Sequence, residues 1–223
     1  MSDFQHDVAG ISALDDDHRR ELYLFVSAQP EPVSREQAAK ALGVPVHLAT
    51  FHLERLEDAG LLVSEYVRLT GRSGPGAGRP AKLYRRGSAE ISVSLPAREY
   101  ALAGELMARA IDDATETGRP IADALSRSAR RHGEQLGAAA VVSGSSLQTA
   151  VRVLRGLGYE PRIEDAHVVM ANCPFSALAR DHSRLVCGMN LDLLDGMCDH
   201  IGGLEAKLEP GRGGCCVVLR EAS

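Results

Sequence analysis

The chain has 223 residues, of which 44% are hydrophobic and 25% are charged, which is enough apolar material for one large or two small packed domains. Its net charge of −5 excludes a protein that coats nucleic acid with its whole surface, but leaves room for a local basic patch. The chain holds no apolar run near the roughly 20 residues of a membrane span, and its acidic start lacks the basic and apolar regions of a signal peptide. We therefore expect a cytoplasmic protein with no membrane partner.

The beginning of the chain predicts a flexible tail over residues 1–14, followed by a first helix. Asp16 or Asp17 can cap this helix, since an aspartate side chain accepts a hydrogen bond from a free N–H of the first turn. Pro30 and Pro32 then end it.

Two short helices come next, separated by a tight turn. Ser34 and Gln37 have the spacing of a capping box at the first of them, and Gly43 stands where that helix must end. Pro45 suits the start of the second helix, and Gly60 its end. The apolar face of the second helix is formed by Ala49, Leu53 and Leu56. This order of elements is typical of a helix-turn-helix.

A change to period two follows the second helix. The stretches "LLVSEYVRLTG" and "AKLYRRG" alternate like strands on either side of the turn "RSGPGAGRP". Such a hairpin would complete a winged helix-turn-helix over residues 15–87. Between Tyr66 and Gly87 the chain has no acidic residue and six basic ones, namely Arg68, Arg72, Arg79, Lys82, Arg85 and Arg86.

A winged helix places its second helix in the major groove of DNA and its hairpin on the backbone or in the minor groove. The expected DNA contacts are the outward residues of that helix and the basic residues of the hairpin, namely His47, Thr50, Phe51, Arg55, Arg72, Arg79 and Lys82. The alternatives are a winged helix that binds only protein, or a basic hairpin that is merely solvated. The local reversal of charge favours DNA.

The same residues resemble a known family. The stretch "REQAAKALGVPVHLATFHLERLEDAGLLVSEY", followed by "GRPAKLYR", is similar to the winged helix of ArsR-like bacterial regulators over residues 16–87. The "GRPAKLYR" wing resembles the branch that contains the repressor of the Suf iron–sulfur assembly operon. This resemblance implies a homodimer that binds an inverted-repeat operator in double-stranded DNA, with dimer contacts in the helices at 97–117 and 121–140.

The remaining chain predicts a helical dimerisation region over residues 88–142 and a small cysteine-rich α+β sensory domain over 143–223. In the second of these, "SGSS" can cap a helix and residues 167–171 form a strand. Helices at 175–182 and 190–200 follow, and two strands close the chain. The whole protein is therefore expected to have an α+β fold.

All five cysteines lie at or after Cys173, which is unlike a secreted disulfide framework. Cys173, Cys187 and Cys215 stand on three separate predicted segments, as ligands of an iron–sulfur cluster do. Adjacent residues of a strand face opposite ways, so we assign Cys215 to the site and Cys216 to the core. Cys198 lies eleven residues beyond Cys187, about 16 Å along a helix, and is also assigned a structural role.

The spacing of Cys173-Pro174, Cys187 and Cys215 resembles that of the Suf repressor branch, where three cysteines hold a [4Fe–4S] cluster whose loss changes operator affinity. The resemblance implies the same cluster here. His182, five residues before Cys187, is a tentative fourth ligand. The same four residues would equally suit tetrahedral zinc.

Four other interpretations stay open. The cysteines could be a reduced metal-free core, or Cys173 and Cys187 could form a redox-switch disulfide. The apolar helices at 97–157 could line a pocket for a small organic effector. Cys173 or Cys187 could pair with His182 in catalysis, but no other part of an acyl-transfer site is recognisable, so we expect no enzyme.

Overall fold

The computed structural model describes residues 3–68, 80–88, 90–140, 144–210 and 214–222. The chain divides into two compact units, residues 1–93 and 94–223, and each has its own hydrophobic core. Both units combine helices with a small antiparallel sheet, which confirms the α+β class. None of the helices in the described ranges is long and apolar enough to cross a membrane.

The N-terminal unit is a winged helix preceded by one extra helix. Its elements are α1 (Asp3–Ala13), α2 (Asp17–Ala28), β1 (Val33–Ser34), α3 (Arg35–Leu42), α4 (Val46–Asp58), β2 (Leu62–Val67) and β3 (Ala81–Arg86). The strands form an antiparallel sheet in the order β1-β3-β2. β2 and β3 pair from Leu62 opposite Arg86 to Val67 opposite Ala81, which is the predicted hairpin.

The predicted helix ends are confirmed. Asp16 caps α2 by accepting a hydrogen bond of 2.9 Å from the backbone N–H of Arg19. Ser34 and Gln37 make both hydrogen bonds of a capping box at α3, and Gly43 ends that helix in the left-handed region with φ of 68°. These signals are local, so the sequence alone carries them.

The flexible tail expected over residues 1–14 is wrong for residues 3–13, which form α1. Gly10 is the buried residue of this helix, and a Cβ added there would come within 2.3 Å of Ile91 Cδ1. Ala13, Leu14 and Ile91 pack against the core of the unit. The helix therefore belongs to the winged-helix unit and does not hang free.

The C-terminal unit surrounds a four-stranded sheet with helices. Its elements are α5 (Tyr100–Thr117), α6 (Ile121–Ala139), α7 (Ser146–Gly156), β4 (Pro161–Glu164), β5 (His167–Met170), α8 (Ser176–Asp181), α9 (Ser183–Ile201), β6 (Leu204–Leu208) and β7 (Val217–Glu221). The sheet is antiparallel in the order β4-β5-β7-β6. One core draws on residues from α5 to β7, so the segments predicted as separate, 88–142 and 143–223, share a single hydrophobic interior from residue 94 onward.

Helix α9 begins at Ser183, seven residues before the predicted start at Asn190. It packs against α6 at close range because glycines face the other helix. A Cβ at Gly133 would lie 1.9 Å from the carbonyl oxygen of Leu193, and one at Gly196 would lie 2.2 Å from that of Arg130. The early start of α9 places Cys187 inside the helix, in its second turn.

Candidate functional site

The exposed side of α4 is the first candidate site. Ala49, Leu53 and Leu56 are fully buried, as the spacing predicts, so this helix fixes which residues face solvent. His47, Phe51 and Arg55 are exposed on the other side, with Phe51 at 49% of its full accessibility. The arrangement is that of a helix with one apolar face on the core and one free face.

Two of these exposed side chains contact each other. The guanidinium of Arg55 stands 5.5 Å from the ring centroid of Phe51, within range of a cation–π interaction. The hydroxyl of Thr50 donates a hydrogen bond of 2.7 Å to the carbonyl oxygen of Val46 and keeps its lone pairs available. The free face thus offers a positive group, a flat apolar ring and a hydroxyl, which suit phosphates, thymine methyls and base edges.

The basic residues of the hairpin divide into three groups. Arg68, Arg85 and Arg86 are exposed. Lys82 is already paired, since its ammonium lies 2.5 Å from Glu57 Oε2 and 5.1 Å from the ring centroid of Tyr84. Two of the predicted DNA contacts, Arg72 and Arg79, fall in residues 69–79, outside the part of the chain that the structure describes.

The second candidate site is a group of four thiols, which we call the thiol cluster: Cys173, Cys187, Cys215 and Cys216. Cys173 lies in the loop between β5 and α8, Cys187 in α9, and the other two directly before β7. Cys215 interacts with both Cys173 and Cys216, and Cys216 also interacts with Cys187. Each of the four thiols therefore has at least one other thiol as a neighbour, and all are free.

These contacts separate the pKa values of the four thiols. A hydrogen bond from Cys215 lowers the pKa of Cys173 to about 7 in spite of burial. Hydrogen bonds from Cys215 and then Cys187 lower the pKa of Cys216 to about 6. Burial raises the pKa of Cys187 to about 12, and the interaction with its two neighbours raises that of Cys215. The cluster thus favours thiolate at two positions, and thiolate is the form that binds metals.

Nitrogen donors also point at the sulfurs. The backbone N–H of Phe175 donates to Cys173 and that of Val217 to Cys215. The Asn190 amide donates to Cys215 Sγ at 3.2 Å. Hydrogen bonds of this kind stabilise negative charge on sulfur and are a feature of metal–thiolate sites.

The assignment of Cys216 to the core holds only in part, because Cys216 is half-buried against the core and also interacts with Cys187 and Cys215. β7 begins at Val217, so Cys215 and Cys216 precede the strand and the alternation of faces does not apply to them. Gly214, with φ of 80°, turns the chain there, and the N–H of Cys215 donates to the carbonyl oxygen of Met170 at 3.0 Å. Both sulfurs then reach the cluster.

The other two predicted assignments have different outcomes. His182 is exposed at the junction of α8 and α9, and it is not among the groups that act on the four thiols. Cys198 is 1% exposed within the core, three turns from Cys187 on the same helix, and burial raises its pKa to about 12. Cys198 therefore lies in the core, apart from the thiol cluster.

The four cysteines have the chemistry of ligands for a metal that prefers sulfur, but they do not have the spacing of a formed metal site. Among the residues that the structure describes, no group of three or more His, Cys, Asp or Glu is spaced to hold a metal ion. Cys215 also lines an open cavity of about 390 Å³, together with Arg162, Glu164 and residues of β5 and β7.

Sequence reasoning missed four residues around the cluster. Asn190 and Tyr159 are buried, and the Tyr159 hydroxyl donates to the Asn190 side-chain oxygen. Asn172 and Arg98 lie beside Cys173 and hydrogen-bond with each other. The signal was two asparagines close to cysteines in "ANCPF" and "CGMN", since buried amides are uncommon and need partners.

Comparison with known proteins bears on the first site. No curated protein matches the chain. Residues 14–65 match the family model described as a helix-turn-helix domain, which supports the resemblance to ArsR-like winged-helix regulators. The N-terminal unit is accordingly a helix-turn-helix domain, of the kind through which transcriptional regulators bind DNA.

Proposed function

We propose that the protein is a transcriptional regulator, acting as a repressor, whose affinity for its operator is set by an iron–sulfur cluster bound to the thiol cluster. The operator would be an inverted repeat bound by a homodimer, as the resemblance to the Suf repressor branch implies. The observation that carries the proposal is the contact among four thiols from three segments, in a chain that also has a helix-turn-helix.

The DNA half of the proposal rests on α4. Its free face presents His47, Thr50, Phe51 and Arg55 together, while its other face is fully committed to the core. The exposed arginines of β3 and the end of β2 add positive charge beside it in sequence. We assign base and phosphate contacts to α4 and sequence-independent phosphate contacts to the hairpin.

The sensory part of the proposal depends on the four cysteines of the thiol cluster as ligands. Cys173, Cys187, Cys215 and Cys216 would hold the cluster, which when bound supplies redox and oxygen sensitivity. The N–H groups of Phe175 and Val217 and the amide of Asn190 would offset the negative charge on the ligating sulfurs. In this proposal Cys216 is the fourth ligand in place of His182.

Zinc is the second candidate, and the interactions between neighbouring thiols favour it. Tetrahedral zinc, with Zn–S bonds of about 2.3 Å, holds its sulfurs nearly in contact with one another. A four-iron cluster binds each thiolate to a different iron and so holds the sulfurs farther apart. Thiols that already interact with their neighbours would need less movement to bind zinc than to bind a four-iron cluster.

Metal analysis of the full chain, purified without oxygen, tests the sensory half. The proposal predicts a brown protein with visible absorption, iron and sulfide in equal amounts, and loss of both in Cys173→Ser and Cys216→Ser. Cys198→Ala is the matched control and should keep the metal. A colourless protein with one zinc per chain would show that the bound metal is zinc and not an iron–sulfur cluster. A metal-free protein would overturn both candidates.

Binding to DNA selected by the protein from a random-sequence library tests the other half. Arg55→Ala should weaken binding roughly 5- to 150-fold, equivalent to about 1–3 kcal/mol, if the guanidinium contacts a base or phosphate. Arg155→Ala, a change at an exposed arginine of α7 outside the expected dimer helices, is the control and should bind like the wild type. Equal affinity of the Arg55 variant would remove α4 from the interface.

A further inference from the structure

A polar contact joins the loop of Cys173 to the segment that leads into α5. The Arg98 guanidinium donates to the Asn172 side-chain oxygen at 2.5 Å and to the carbonyl oxygen of Cys173 itself at 3.0 Å. The Asn172 amide donates in turn to the carbonyl oxygens of Ala97, at 3.2 Å, and Gly158, at 2.8 Å.

The backbone adds a further bond between the same two segments. The N–H of Glu99 donates to the carbonyl oxygen of Pro174 at 3.2 Å. Residues 97–99 and 172–174 are thus held together by four hydrogen bonds, and the 7% exposure of Asn172 shields the centre of the contact from water. Burial makes such bonds costly to break without replacement.

The contact lies close to the boundary between the two units in the chain. The N-terminal unit ends at Val93, and residues 97–99 belong to the C-terminal unit and follow that boundary closely in the chain. The same loop residue, Cys173, offers its sulfur to the thiol cluster and its carbonyl to Arg98. A shift of Cys173 within the cluster therefore changes the hydrogen bonds of the segment that follows the DNA-binding unit.

We propose that Arg98 and Asn172 couple the thiol cluster to the DNA-binding unit. Their hydrogen bonds hold residues 97–99 in one arrangement while Cys173 keeps its position, and they release these residues when Cys173 moves. This rests on the proposed function, because it needs a cluster whose two conditions differ in DNA affinity. Coupling requires an element with two arrangements that both sites influence, and this segment is bonded to one site and continuous with the other.

Arg98→Lys separates the charge of this side chain from its hydrogen bonds. A lysine keeps the positive charge but lacks the fork of the guanidinium that reaches both oxygens.

The test compares the ratio of DNA affinities between the iron- and sulfide-reconstituted chain and the metal-free chain, for the wild type, Arg98→Met and Arg98→Lys. Arg98 is half-buried, so these variants are milder than a change at Asn172. We expect Arg98→Met to bind the same amount of iron and to bind DNA, but with a ratio within about twofold of one. Arg98→Lys should restore part of the wild-type ratio.

Hydrogen exchange adds a measurement that a merely structural role would not change. In the wild type, reconstitution should alter the exchange of amides in residues 94–100, and in Arg98→Met it should alter only those around the cysteines. A wild-type ratio in Arg98→Met with full iron content would overturn the coupling role while leaving the proposed function standing. Loss of iron in that variant would also overturn it, by making Arg98 part of the metal site. If the wild-type protein itself bound DNA with the same affinity in its reconstituted and metal-free forms, the proposed function would be overturned.

Discussion

Asn190 is a buried amide, 1% exposed, that links the Tyr159 hydroxyl to the sulfur of Cys215. Asn190→Ala leaves that hydroxyl without its acceptor and the sulfur with one donor fewer, so we expect the free energy of unfolding of the C-terminal unit to fall by about 2 kcal/mol. Tyr159→Phe should cost about half as much, because it removes one hydroxyl and keeps the ring. Urea unfolding measures both, and an Asn190→Ala protein as stable as the wild type would contradict this role.

His52 makes the N-terminal unit sensitive to pH. Its side chain is buried on α4, with Nδ1 3.7 Å from Asp16 Oδ1. Burial lowers its pKa below the ordinary 6.5 by more than Asp16 raises it, and Arg19 and His18 lower it further. The unfolded chain therefore takes up a proton more readily, so the contribution of neutral His52 to stability is complete above about pH 6.5 and is lost as the pH falls.

His52→Gln tests this prediction by removing the titration while keeping a polar side chain. Calorimetric unfolding of the full chain between pH 7.5 and about 5 should show a smaller loss of stability in the variant than in the wild type. The same pH dependence in both proteins would assign the titration to another group.

At the scale of elements, the contact between α6 and α9 depends on glycines. Gly133→Ala would place a methyl group 1.9 Å from a backbone oxygen of α9, so the helices must separate, and we expect a loss of at least about 3 kcal/mol. Gly104→Ala is the matched control, because its position in α5 has nothing within 4 Å of the new methyl group. That change should stabilise the protein by up to about 1 kcal/mol. Thermal unfolding compares them, and equal midpoints would contradict the close packing.

The elements also show what the sequence could predict. The capping box at Ser34 and the end at Gly43 depend on neighbours within one turn, so the pattern predicts them. The direction of the Cys216 side chain depends on where β7 begins to pair with β5 and β6. Residues far away in the sequence determine that pairing, so a local pattern does not predict it. β1 has only two residues, too few for a period. Helix α1 could have been found from Phe4, Val8 and Ile11, which have helical spacing.

In the whole molecule, one stretch of chain leads from the N-terminal unit into the C-terminal unit. The N-terminal unit has the surface that DNA requires, and the C-terminal unit gathers four cysteines that are spread over 44 positions of the sequence, from 173 to 216. From the sequence, three of these thiols are expected at one site and Cys216 is not, because the approach of Cys216 depends on the turn at Gly214. Regulation then requires that the two conditions of the thiol cluster differ in their affinity for DNA.

The most direct test is the affinity of one preparation of the full chain for its selected DNA, measured without oxygen after reconstitution with iron and sulfide and again after removal of the metal. The account predicts that the two affinities differ roughly 5- to 150-fold, the usual range for coupled sites. It predicts the same difference in Cys198→Ala and none in Cys216→Ser. Equal affinities of the wild type with and without metal would contradict it.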